Sequence, residues 1–101
     1  MTPTAYGLSR TSEDLDPRRR RILFRAWHRG TREMDLLLGR FADAEIAALG
    51  DADLDVFEQL MEVPDRDLFS WITGTAPTPE NWSGPLLERI VAFARANPLT
   101  D

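Results

Sequence analysis

The chain has 101 residues, a 43% hydrophobic share and a formal net charge of −5, with twelve arginines, no lysine, one histidine and no cysteine. At this length one domain is expected, and about two thirds of the unfolded surface can be buried, so one core suffices without staples. The lack of cysteine excludes disulfides and thiolate metal sites, and the single His28 leaves no histidine cluster for zinc. No apolar run approaches the roughly 18 residues of a membrane span, so no membrane insertion is expected.

The charge is unevenly placed. Residues 17–40 hold eight arginines against Glu33 and Asp35, whereas residues 41–101 hold three arginines against twelve acids. Residues 1–15 are polar and read as a disordered N-terminal tail. With Glu13, Asp14 and Asp16 and no apolar centre, the start resembles neither a secretory signal nor a transit peptide, so a cytoplasmic protein is the expectation.

Asp16-Pro17 is a helix start, an acidic N-cap before proline at the first helical position. The first helix runs to about Arg29 with Ile22, Leu23, Ala26 and Trp27 on one face and mainly arginine on the other. Gly30-Thr31 breaks it. Thr31 caps a second helix bearing Met34, Leu37, Leu38 and Phe41, and Glu33 and Asp35 in its first turn suit the helix dipole. Asp43 is expected to cap a short third helix with Ile46 and Leu49, closed by Gly50. Asp51 or Asp53 starts a fourth with Leu54, Phe57, Leu60 and Met61, ended by Val63-Pro64. Asp65 is expected to cap a fifth, which carries Leu68, Phe69, Trp71 and Ile72 and stops at Gly74. Residues 75–84 form a loop with Pro77 and Pro79, in which Trp82 is the docking point. Pro85 opens the last helix, with Leu86, Leu87, Ile90, Val91 and Ala94, and residues 98–101 make a short C-terminal tail. No stretch shows sustained alternation with β-branched residues. The expected fold is all-α: a compact bundle of five or six short helices in a single domain, residues 16–97.

The sequence holds no sign of catalysis. His28 has no serine in a strained elbow to activate. The acids of residues 51–55 lack the glycine and terminal glutamate of a calcium loop, and the scattered glycines form no phosphate loop. No catalytic residue, no metal and no enzyme activity are expected. His28 reads as solvated surface, while Phe57, Phe69 and Trp71 fall on helical stripes and read as core.

The stretch from Trp27 to Asp35 is different. Gly30 interrupts a helical pattern at a cost of about 1 kcal/mol relative to alanine. Arg29 and Glu33 flank it four apart, and a surface pair in that order is worth only ~0.3 kcal/mol. Stability is a weak reason for those charges, which leaves recognition as an equal reading.

Residues 29–35, Arg-Gly-Thr-Arg-Glu-Met-Asp, closely resemble the Arg-Gly-x-x-Glu signature of the succinate dehydrogenase assembly factor family. These small helical proteins promote covalent attachment of FAD to the flavoprotein subunit of succinate dehydrogenase and, in bacteria, of fumarate reductase. The resemblance continues through Leu36–Phe41, an acid-rich helix, the block from Leu60 to Trp71, and Pro77 and Pro79, so it covers roughly residues 18–96. It implies that Arg29, Gly30 and Glu33, with Arg32 between them, engage the flavoprotein, joined by Asp67 and Trp71 of the second block. Arg29 is then expected to fork onto a carboxylate or carbonyls of the partner, Gly30 to admit close backbone approach, and Glu33 to orient a partner arginine or histidine. The implied protein is an assembly factor, a monomer when free. It holds the flavoprotein in an attachment-competent shape and binds no cofactor tightly itself, since the FAD is attached to the partner. The alternative is a small nucleic-acid-binding module using the arginine-rich segment. Against it stand the acidic remainder and the lack of asparagine or glutamine interleaved for base readout. A direct FAD carrier would need a dinucleotide fold, and nothing here resembles one.

Overall fold

The structure is a computed structural model that describes residues 14–99. Five α-helices follow one another: α1 (Pro17–Trp27), α2 (Arg32–Glu45), α3 (Asp51–Leu60), α4 (Asp65–Thr73) and α5 (Pro85–Ala96). There is no strand among the described residues, and the all-α expectation holds. Residues 1–13, 100 and 101, most of the expected tails, lie outside the described residues. Leu15, assigned to the N-terminal tail from sequence, is only 6% exposed and belongs to the core.

Helix α1 starts as its sequence directs. Asp16 accepts the Arg19 N–H at 3.3 Å, and Pro17 occupies the first turn. Ile22, Leu23, Ala26 and Trp27 are buried, mainly against α2. The close approach of α1 and α2 depends on Gly39: a methyl group there would overlap the Trp27 indole ring. Helix α2 opens with Thr31, whose hydroxyl accepts the Met34 N–H at 3.3 Å.

Two boundaries differ from the sequence reading. Asp43 does not cap a new helix; α2 runs through it to Glu45 and tightens into a 3₁₀ turn over Ile46–Ala48. Leu38, Ala42 and Ile46 are spaced four apart and all buried, so one continuous helix puts them on the same face. Arg19 closes that end by donating to the Ile46 and Leu49 carbonyls. Asp65 is likewise the first residue of α4 and not its cap, which is Pro64. Gly74 ends α4 with φ of +82°, its N–H bonded to the Ser70 carbonyl at 3.0 Å. The loop that follows contains a 3₁₀ turn, Glu80–Trp82, and Trp82 docks on Trp71 with ring centroids 6.1 Å apart.

The uneven charge is partly closed within the fold. Arg18 of α1 donates to both Glu58 oxygens, at 3.1 and 3.0 Å, and also to Asp55. Arg89 of α5 reaches Glu45 at 2.7 Å and Asp53 at 3.5 Å. The Arg18 hydrogen bond holds the Glu58 carboxyl below the usual glutamate range, and the Arg19 side chain does the same for Asp16.

Two measurements follow. Gly39→Ala forces the Trp27 ring aside, and overpacking of about 1–3 kcal/mol lowers Tm by roughly 5–15 °C. Gly50→Ala, where a methyl meets nothing within 4 Å, costs less than about 1 kcal/mol. Equal Tm values for the two would contradict the close packing. The second concerns acid. Glu58 and Asp16 have lower pKa values folded than unfolded, so the unfolded chain binds protons first as pH falls. Their stabilisation is complete above about pH 4.5 and disappears as pH drops through the folded-state values. Glu58→Gln flattens the stability-against-pH curve below that point, and an unchanged curve would remove Glu58 from the explanation.

Candidate docking site at the Arg-Gly corner

Helix α1 ends at Trp27, and the chain turns sharply before α2. Gly30 makes the turn with φ of +111°, a backbone angle that disfavours any side chain. A Cβ there would meet nothing within 4 Å, so the requirement is the angle and not the space. The corner's donors are satisfied by Asp35, a buried carboxylate at 5% exposure. Its Oδ1 accepts the Arg29 N–H at 2.5 Å and the Gly30 N–H at 3.3 Å. From sequence, Asp35 was only a residue suited to the helix dipole; its buried role was missed. The signal was its position one turn into a helix that starts right after a glycine break.

Arg29 turns inward. Its side chain is 8% exposed and donates Nε to Asp65 Oδ1 at 2.7 Å. The two terminal nitrogens donate to the Met61 carbonyl at 2.7 Å and the Val63 carbonyl at 2.6 Å. The expected fork onto a carboxylate and backbone carbonyls exists, but its acceptors belong to this chain. Arg29 therefore joins the corner to the end of α3 and the start of α4. It does not pair with Glu33.

Gly30, Arg32 and Glu33 lie on the outer side of the corner, exposed. Glu33 has no ion-pair partner among the described residues. Beside it, a groove of about 490 Å³ runs between the start of α2 and α4. The buried Met34 forms its apolar floor and Phe69 an apolar wall, Glu33 and Arg66 give it opposite charges, and Thr31 and Asp65 complete it. Phe69, read as core from sequence, packs against the core, but it is only half-buried and also lines this groove. Arg66 was not singled out at all. Both sit in the Leu60–Trp71 block three residues apart, which on a helix is a shared face.

The structure does not bring Asp67 and Trp71 to this groove. At 100° per residue they share the flank of α4 away from Arg66 and Phe69. Asp67 is exposed there, and the Trp71 ring packs on Trp82. The six sequence candidates thus divide: Gly30, Arg32 and Glu33 outside the corner, Arg29 within it, and Asp67 and Trp71 across α4.

Among the described residues, no group of three or more His, Asp or Glu side chains is placed to hold a metal ion. What the corner offers is a rigid groove with an apolar floor and a rim of both charges, carried on a small helical bundle. Such a lining has the mix of apolar centre and polar rim found where proteins dock. Residues 20–94 match the family model described as flavinator of succinate dehydrogenase, and the chain belongs to that family.

Several relatives accord with this. The chain is 41% identical over 83 residues to the FAD assembly factor SdhE of Acetobacter pasteurianus, covering 82% of this chain and 76% of that protein. It is 40% identical over 92 residues to the mitochondrial succinate dehydrogenase assembly factor 2 of Mycosarcoma maydis, covering 85% of this chain and 39% of that protein. It is 33% identical over 86 residues to the protein of the same description from Dictyostelium discoideum, covering 85% and 61%. The chain therefore spans less than two thirds of these two mitochondrial relatives.

Truncating the inward fork leaves Asp65 and two carbonyls without their donor. Arg29→Ala should cost about 3 kcal/mol in urea denaturation, whereas Glu33→Ala should stay within about 0.5 kcal/mol. Equal small effects would contradict the buried clasp.

Proposed function

We propose that this chain binds the flavoprotein subunit of succinate dehydrogenase and promotes its covalent flavinylation by holding it in an attachment-competent conformation. The observation that carries the reading is the division of labour at the corner. Arg29 and Asp35 are used up inside the fold, and the groove between Glu33, Arg66 and Phe69 is left open on a rigid frame. An apolar side chain of the partner rests over Met34 against Phe69, while Glu33 accepts from a partner arginine or histidine and Arg66 takes a carboxylate.

In this reading the chain contributes geometry and no reacting group. The FAD, and the histidine that receives it, both belong to the flavoprotein. A helper that favours the conformer in which the two meet raises the attachment rate through that conformer's population. The proposal extends to the flavoprotein of fumarate reductase as a second client, as the family resemblance implies. It takes the free protein to be a cytoplasmic monomer without tightly bound FAD and without catalytic activity of its own. No helix among the described residues is long and apolar enough to cross a membrane. The nucleic-acid alternative loses support from the fold, because Arg18, Arg19, Arg25 and Arg29 of the basic segment are engaged within the chain. Asp67 and Trp71 stay outside the proposed contact.

The test uses a host lacking the native protein, with covalent flavin on the flavoprotein read by in-gel fluorescence. Glu33→Ala and Phe69→Ala should each weaken binding about tenfold or more, the effect of losing a central contact. Flavinylation should fall in step, with Glu33→Ala keeping the Tm of the unaltered chain and Phe69→Ala, which removes a ring that also packs against the core, still folded by circular dichroism. Full covalent flavin with both variants would contradict the proposal.

A further inference from the structure

The outer face of α1 is a second surface that the groove does not use. Phe24 is 62% exposed, the one exposed large hydrophobic residue among those described. Its ring stacks on His28 at a centroid distance of 3.9 Å, and His28 Nδ1 lies 2.6 Å from the Phe24 carbonyl. Arg20 and Phe24 are four apart, as are Arg21 and Arg25, so all four share the solvent side of the helix. All are exposed. Arg25 shares its charge with Glu62 at 2.6 Å, whereas Arg20 and Arg21 make no ion pair with any described residue.

This face is continuous with the docking groove. A hollow of about 450 Å³ opens beside Phe24, Arg25 and His28, floored by Met61 and the Arg29–Asp65 pair. Asp65 lines both hollow and groove, so one partner can cover the two without a gap.

We propose that the α1 face is a second contact for the flavoprotein, and that it takes an acidic segment carrying an apolar side chain. The inference rests on the flavoprotein being this chain's partner. The apolar side chain covers the Phe24–His28 stack, and the carboxylates meet the guanidiniums of Arg20 and Arg21. Acidic protein suits the face better than nucleic acid, because Arg25 is already paired with Glu62 and only Arg20 and Arg21 remain, fewer than the several phosphate contacts on which nucleic-acid binding rests. It suits the face better than the acid-rich α3 of a second copy, because Arg18 and Arg89 already hold those acids.

The experiment measures association of the purified full chain with the purified flavoprotein subunit across a salt series. Phe24→Ala should raise Kd about tenfold, chiefly through faster dissociation. Arg20→Glu with Arg21→Glu should lower the association rate about tenfold at low salt and flatten its salt dependence. Arg20→Gln with Arg21→Gln should give a smaller change of the same sign, which guards against a disturbed helix. Glu33→Ala reports the groove independently. Weakening by Glu33→Ala alone, with both α1 variants binding like the parent chain, would overturn the second contact and keep the first. Weakening by the α1 variants alone would keep the second contact and overturn the groove. Should these variants abolish self-association or duplex-DNA binding while flavoprotein affinity stays unchanged, the α1 face belongs to that other partner and the proposal fails.

Discussion

A guanidinium has five N–H donors and no acceptor, so it can be buried only where several acceptors converge. Arg29 is such a case. Asp65, the Met61 carbonyl and the Val63 carbonyl meet it from the end of α3 and the start of α4. Its own backbone N–H is held by Asp35 of α2. One residue thus connects the turn after α1 to three other helices, through groups that tolerate no loss of a partner. Gly30 supplies the backbone angle that lets Arg29 point inward while the next residues point out. The groove between Glu33 and Phe69 exists because α2 and α4 are fixed against this clasp.

The same logic governs the rest of the charge. A chain with most arginines in one segment and most acids in another has strong reason to fold the first onto the second. Arg18 on Glu58 and Asp55, and Arg25 on Glu62, do this between α1 and α3 with its following turn. Such exposed pairs stabilise little individually. Their consequence is to define which charges remain for a partner: Glu33 and Arg66 at the groove, Arg20 and Arg21 on α1. Function at this surface is then a matter of which side chains the fold leaves unengaged.

The helices were largely legible in the sequence because their signals are local. Asp16-Pro17, Thr31, Gly74 and Pro85 mark ends through capping chemistry, and four-residue spacing marks the buried faces. The two misplaced boundaries came from aspartates that cap in many contexts but here lie inside the first or last turn of a helix, at Asp65 and Asp43. The site was legible as a stretch and not as an arrangement. Periodicity cannot reveal that Arg29 reaches residues more than thirty positions away, since that depends on how α3 ends. Nor can it show that Gly39 is a contact for Trp27, because a glycine in a helix carries no hydrophobic signal. Phe69 was read as core for the opposite reason: a half-buried groove wall and a core residue occupy the same helical stripe.

The central claim is that Arg29 acts through Asp65 and the Met61 and Val63 carbonyls that follow α3, and not by touching the flavoprotein. A double-mutant cycle on flavoprotein binding tests this, using Arg29→Ala, Asp65→Ala and the two together. If the clasp shapes the groove, breaking it from either side weakens binding, and the double variant is little worse than the more damaging single one. Strictly additive losses, or unaltered binding by Asp65→Ala beside lost binding by Arg29→Ala, would contradict the account.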